Sequence, residues 1–297
     1  MDINRSGEME VFVRVVEEGS FSAAARRLGL TPSAVAKLIG RLEDRLGVRL
    51  LARSTRSLRP TPEGDLFYDQ ASRILTDIAE AEAGISGAAA PRGRLRISAS
   101  IPFGTHCVVP LLPEFRARFP AVTLDVSLTD EVVDILAERT DIAIRHGPLR
   151  DSGLQARKLG VSRRVLIAAP AYLERRGVPQ TPADLAGHDC LTFNYRRSFT
   201  DWVLGGPDGP KPMQVTGPLV VNNGETLRQA VLAGMGIGRT ARYHVGHDLA
   251  AGRLVELLPD HDPHEMEEIH AVFLGRGTMP ARVRAFIDFL VERLRFE

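Results

Sequence analysis

Eleven residues, from Ser22 to Pro32, restrict this chain more than any others. Ser22 predicts the N-cap of a short helix, and Gly29 can take the left-handed conformation that ends it. Thr31 predicts the cap of a second helix, with Pro32 in its first turn, where a missing N–H costs nothing. Two helices joined by so tight a turn make a helix-turn-helix. In the second, Val35, Leu38, Ile39 and Leu42 follow the spacing of a buried face, while Ser33, Ala36, Lys37 and Gly40 line another face with small or basic side chains. A helix that enters the major groove needs that second face, because bulky side chains would hold it off the base edges. The alternative is a small helical bundle with one solvated face.

The residues beyond this helix favour the groove. Gly47 can stop the helix, and Val48 to Pro60 carries Arg49, Arg53, Arg56 and Arg59 around a Ser54-Thr55 turn, the pattern of a hairpin wing. From Ala23 to Pro60 nine bases face two acids, a net +7 inside a chain whose net charge is +1. Phosphate binding explains a charge so concentrated on one motif. DNA contact is therefore expected from Ser22, Thr31, Pro32, Ser33, Ala36, Lys37, Arg41, Arg53, Ser54, Thr55 and Arg56.

With these residues in view, the chain resembles the LysR-type transcriptional regulators. Phe12 to Glu17, Gly19 to Ala25, Ser33-Ala34-Val35 and Leu42 to Leu51 stand where that family has its signature, and Arg53 to Arg56 and Leu58 to Gly64 extend the match. The resemblance covers the whole chain and is strong over roughly the first ninety residues. It implies a winged helix-turn-helix, a long linker helix and a two-lobed effector-sensing domain with a periplasmic-binding-protein-like fold, assembled as homodimers or tetramers. The family often has Ser and Arg where this chain has Ala36 and Lys37, so base preferences do not carry over.

The 297 residues suffice for about two domains, and 44% hydrophobic with 25% charged is ordinary for a globular protein. The first residues lack a signal-peptide core and no stretch approaches the roughly 18 apolar residues of a membrane span. A cytoplasmic location with no membrane partner is expected. Cys107 and Cys190 lie far apart without metal-like spacing, and free buried thiols are the expectation.

Along the chain, a helix from about Arg5 to Glu18 should bury Met9, Phe12, Val13 and Val16. Thr61-Pro62 opens a long helix to about Ser86, in which Phe67, Ala71, Ile74, Ile78, Ala81 and Ile85 alternate in steps of four and three, the spacing of a dimerisation seam. Intrachain packing of that face is the alternative. Gly84, Gly87 to Ala90 and Pro91 mark a boundary. The expected domains are thus 1–60 for DNA binding, 61–90 for linker and dimerisation, and 91–297 for effector binding, with lobe I at 91–162 and 268–297 and lobe II at 163–267. Beyond Pro91 the pattern is α/β with a mainly parallel sheet: strands at Arg94 to Ala99, Val122 to Thr129, Asp141 to Arg145 and Val165 to Ala169, helices at Phe103 to Phe119 and Val132 to Arg139, and a closing helix from Pro280 to Arg295.

Ligands of open α/β sheets bind beyond the carboxyl ends of strands. That rule selects Ser100, Phe103, Gly104, Thr105, Thr129, Arg145, His146, Asn194, Asn222 and Asn223, a set of hydroxyls, amides and one Arg suited to a small polar or carboxylated effector. Helix capping and salt bridging are the ordinary alternatives. Gly234 to Gly238 lacks the dinucleotide spacing and predicts a turn, while neither His244/His247 nor His261/His264 has an adjacent carboxylate arrangement diagnostic of a metal site, so no metal and no cofactor is expected. No GxSxG or Ser-His-acid set stands out, and no enzyme is expected. The function implied is a ligand-responsive regulator that binds an interrupted palindrome as a homo-oligomer, its partners being double-stranded DNA, a small effector, itself and RNA polymerase. A soluble binding protein or enzyme with oligomerising N-terminal helices, and a constitutive architectural DNA binder, are the competing classes.

Overall fold

A computed structural model describes residues 4–53, 58–85, 90–130, 140–149, 153–194, 201–206, 209–274 and 279–296. The chain divides into two units, Met1–Ala90 and Pro91–Glu297. The expected helix at 132–139, the wing tip Ser54 to Arg56 and the end of the linker at 86–89 lie outside the described residues.

In the first unit, α1 (Arg5–Glu18) starts on Asn4, whose side chain accepts from the Gly7 N–H, and stops at Gly19 with φ 60°. Because Gly19 closes α1 so abruptly, α2 (Phe21–Leu28) starts at once and its N-cap is Ser20, with Ser22 inside the first turn. This corrects the expected cap by two residues. Gly29, at φ 66°, ends α2, and Thr31 caps α3 (Pro32–Leu46) by accepting from Ala34 N–H at 3.2 Å. The strands β1 (Leu51–Arg53) and β2 (Leu58–Pro60) pair antiparallel as the wing, and α4 (Pro62–Ile85) follows. Phe12, Val15, Ala24, Ala25, Val35, Ile39 and Leu42 form the core, joined by Ala71 from α4. Since α4 also packs on α1, the buried face of α1 is centred on Val11, Phe12 and Val15, and Met9 and Val16 sit at its edge.

The second unit is a two-lobed α/β domain. Its elements are β3 (Gly93–Ala99), α5 (Ile101–Phe103), a π-turn (Gly104–Val108), a 3₁₀ turn (Val109–Leu111), α6 (Leu112–Arg118), β4 (Val122–Leu128), β5 (Ile142–His146) and β6 (Leu154–Ala168). Then come α7 (Pro170–Arg176), a 3₁₀ turn (Pro182–Gly187), β7 (Thr192–Phe193), β8 (Asp201–Gly206), β9 (Gly209–Gln214), β10 (Val220–Val221) and α8 (Gly224–Leu232). β11 (Ile237–Ala241), α9 (Arg242–Ala250), β12 (Val255–Leu257), β13 (Met266–Leu274) and α10 (Ala281–Arg293) complete it. The large sheet runs β11-β6-β13-β5-β3-β4, with β12 also on β6. Among the described strands of this sheet, β3–β4 and β3–β5 pair parallel; β13 is antiparallel to β5 and β6, and β11 and β12 are antiparallel to β6. The expected mainly parallel sheet is thus a mixed one, because the returning strand β13 lies between β5 and β6 and opposes both.

β6 serves both lobes. Leu154 to Arg163 pairs with β13, and Arg164 to Ala168 pairs with β11. Lobe I packs around Ile97, Phe115, Ile142, Phe286 and Leu290. Lobe II has a core on Tyr172, Trp202 and Leu258 and another on Leu227, Val231 and Val245. The glycine-rich run is a turn at Gly234, φ 75°, followed by strand β11. Both cysteines are free, and burial pushes each thiol up to about 12. Among the described residues no helix is long and apolar enough to cross a membrane.

Candidate functional site

On the first unit, the outward face of α3 begins at its cap. Thr31, Pro32, Ser33, Lys37 and Arg41 are exposed, and Ala36 and Gly40 between them are half-buried and add no bulk. Thr31 and Ser33 share a hydrogen bond of 3.1 Å, so one hydroxyl of the cap is already oriented at the start of this face. Ser22 is exposed in the first turn of α2. The side chain of Arg53, together with Ser54, Thr55 and Arg56, lies outside the described residues.

Among the described side chains, two of these bases serve the fold. Arg45 donates to buried Glu8 at 2.7 and 3.1 Å. Arg49 donates to Glu43 at 2.8 Å, and the other oxygen of Glu43 accepts from Leu50 N–H at 2.9 Å and Leu51 N–H at 3.1 Å. Burial alone would raise the Glu43 carboxyl, but these donors outweigh it and hold it below the usual carboxylate range. Among the described side chains, Arg26, Arg27, Lys37, Arg41 and Arg59 are exposed, and so is Arg49 despite its bond to Glu43.

The long helix α4 divides the expected seam. Ala71 is fully buried and Phe67 meets Phe12 edge-on with ring centroids 5.3 Å apart, so both face the unit's own core. That corrects their assignment to a dimer seam: α1 already covers them. Ile74 and Ile78 are exposed on the same helix, with Leu66; the side chains of Ala81 and Ile85 lie outside the described residues.

On the second unit, the residues chosen by the strand-end rule fall into two groups. Ser100 caps α5, accepting from Phe103 N–H at 3.4 Å, and its hydroxyl meets His146 Nε2 at 3.3 Å and bonds Tyr243. Phe103 is fully buried, edge-on to His146 and to Tyr243 with ring centroids 5.3 Å from each. Burial holds the His146 imidazole below its ordinary value and the Tyr243 phenol well above it; His146 Nδ1 has no hydrogen-bond partner among the described residues. Ser100, Phe103 and His146 of lobe I thus meet Tyr243 of lobe II in one cluster. Gly104 is buried against Leu128, where a side chain would collide, so it packs and does not reach a ligand.

The remaining residues stand apart. Thr105 and Asn194 are exposed, Thr129 N–H donates to Ala99 O at 2.9 Å, and Arg145 donates to Ile144 O at 3.3 Å. Asn223 caps α8 through Thr226 N–H at 2.7 Å and donates to Asn222 at 2.9 Å.

Sequence reasoning missed a residue that ties the lobes. Asp130 accepts from Ile101 N–H of lobe I at 2.9 Å and from Gly224 N–H of lobe II at 3.3 Å. Gly224 permits this approach, since a Cβ there would lie 2.7 Å from Pro102. Asp130→Ala should lower the thermal midpoint of the second unit by a few degrees, from about 1–2 kcal/mol lost at roughly 2–4 °C per kcal/mol. Scanning calorimetry reads this, and an unchanged midpoint would deny Asp130 its bridging role. Tyr243, and the trio His106, Glu225 and His244, also went unselected; no spacing in the sequence connects them.

Residues 7–65 match the family described as bacterial regulatory helix-turn-helix protein, lysR family, and residues 88–295 match the LysR substrate binding domain. The chain is 39% identical over 290 residues to the HTH-type transcriptional regulator CrgA of Neisseria meningitidis serogroup C (strain 8013), spanning 97% of each. It is similar to the solved structure of CrgA, a LysR-type transcriptional regulator from Neisseria meningitidis, with 38% identity, a TM-score of 0.66 and coverage of 98% of this chain and 99% of that one. The full-length Vibrio cholerae virulence activator AphB, a member of the LTTR protein family, matches with 28% identity, a TM-score of 0.59 and coverage of 96% and 98%.

Proposed function

Since the chain belongs to the LysR family of transcriptional regulators, we propose that it binds an interrupted palindrome as a homo-oligomer and answers to a small polar or carboxylated effector held between its lobes. The observation that carries the DNA half is the exposed α3 face, where Thr31, Ser33, Lys37 and Arg41 offer hydroxyl and cationic donors and Ala36 and Gly40 keep the helix slim enough for close approach. Arg26, Arg27 and Arg59 add exposed charge for phosphates. The effector half is supported by the interlobe cluster, where Ser100, His146 and Tyr243 set polar atoms among aromatic rings.

Mechanistically, an effector that binds one arrangement of the lobes more tightly shifts the population toward it. In a symmetric oligomer the shift changes the spacing or bend of the DNA that the two copies hold, and so what RNA polymerase meets. Ile74, Ile78 and Leu66 supply the exposed apolar stripe through which a second copy associates.

The test is selection of bound fragments from the host genome with and without metabolite extracts. Purified protein should enrich specific fragments at moderate salt, and an absence of preference over competitor duplex overturns the proposal. Within the enriched site, Lys37→Ala and Ser33→Ala should each cost about 1–3 kcal/mol and relax preference at particular base pairs. An unchanged binding profile for both would remove α3 from base readout.

A further inference from the structure

His106, Glu225 and His244 come from three separate elements and converge. His106 lies in the π-turn of lobe I, Glu225 in the first turn of α8 and His244 in α9. Glu225 Oε2 is 3.0 Å from His106 Nε2 and 2.8 Å from His244 Nε2, and one donor atom from each residue lies within 4.8 Å of the others. The two imidazoles sit with ring centroids 5.0 Å apart. We propose that these three side chains form a binding site for a divalent transition-metal ion of the zinc type, closing the junction between the lobes.

The chemistry of the donor set argues for that class. Two imidazole nitrogens with one carboxylate oxygen suit zinc and its neighbours, whereas calcium and magnesium prefer shells made of oxygen. Bonds of about 2.0–2.1 Å in a tetrahedral shell separate the donors by roughly 3.3 Å, so the two Glu225–imidazole pairs need to open by about 0.3–0.5 Å. Two of the three donors are also held from behind. His244 Nδ1 lies 3.1 Å from Thr240 Oγ1, and Glu225 Oε1 accepts from Arg228 at 2.9 Å and Gln229 at 2.8 Å. Outer partners of this kind fix a ligand's orientation and tautomer. The charge of Arg228 is answered by Asp248 at 2.6 Å.

His244 is almost completely buried, which shields that side of the site from bulk water. His106 and Glu225 are about a quarter exposed, which leaves a route for the ion and a coordination position for water or an effector oxygen. π-turns inside helical segments are rare and frequently functional. Here the turn carries His106 toward the other lobe. On binding, each neutral ring gives up the Nε2 proton that it donates to Glu225 and takes one from solvent at Nδ1. The Nε2 lone pair is then free for the ion, and His244 Nδ1–H donates to Thr240 Oγ1.

The experiment uses tag-free, chelator-stripped full-length protein without DNA or effector, so its failure leaves the regulator proposal untouched and the converse holds as well. Zinc content after gel filtration and cobalt(II) titration followed by its visible ligand-field bands are the readouts. One ion per chain with micromolar or tighter affinity is expected, weakened at least about a hundredfold by His106→Ala and by Glu225→Gln. His247→Ala and His261→Ala should bind as the parent does. If His244→Ala does not fold, the half-buried His106 decides. Substoichiometric binding by the parent, or binding that survives His106→Ala, overturns the site and leaves a hydrogen-bonded trio.

Discussion

Glu43→Ala should unfold the N-terminal unit more than about 10 °C below the parent, a loss of about 3 kcal/mol. Glu43 is 3% exposed, and its carboxylate satisfies the N–H groups of Leu50 and Leu51, where the chain leaves α3 for the wing, while pairing with Arg49. Removing it leaves two buried donors without partners and a guanidinium without its counter-charge, a loss larger than that of the bonds themselves. Glu43→Gln keeps one acceptor oxygen and should fall between. Because the folded carboxyl sits below its ordinary value, its contribution is complete above the unfolded value of about 4.3 and fades as pH falls toward the folded one. The stability gap between parent and Glu43→Gln should therefore narrow in acid. Calorimetry on the full chain measures this, and midpoints within a degree or two at neutral pH would contradict it.

Ile74→Asp and Ile78→Asp should convert the proposed homo-oligomer to smaller species at micromolar concentration while leaving the helical circular dichroism unchanged. Both side chains are exposed on α4, about 40% each, so neither change touches the core. In a symmetric interface each substitution is met twice, and each lost isoleucine forfeits about 1.5–3 kcal/mol of burial before the cost of desolvating a carboxylate. A thousandfold weaker association, roughly 4 kcal/mol, is the expected outcome. Sedimentation equilibrium decides, since an undiminished mass would place the subunit contact elsewhere.

The N-terminal unit was legible because its signals are local. Gly19, Gly29 and Gly47 all stand at helix ends with φ of 60°, 66° and 70°, and Thr31 caps where it was expected to. The choice of Ser22 over Ser20 failed because two serines flank Phe21 and nothing local says which one is extended. Glu8 and Glu43 read as ordinary charges in the sequence, since only tertiary structure buries them. In the second unit β9 was hidden by Pro210 and Pro212, which a strand tolerates when it pairs on one side only, as β9 does with β8. Ser100 and His146 were reachable from the strand-end rule, but Asp130 is joined to Gly224 across 94 residues and His106 to Glu225 across 119. At such distances the pairing is a property of the packed lobes, and no periodicity carries it.

β6 passes from one lobe into the other as a single paired strand of 15 residues, changing neighbours at Arg163 and Arg164. Halves joined in this way cannot swing freely as they would on a slack tether. Any rotation must be absorbed as torsion along bonded ladders, with the irregular step at Ile269/His270 of β13 the most compliant place. An effector bound between the lobes, as proposed, would have to do its work against these bonded ladders, which would return the twist on its release.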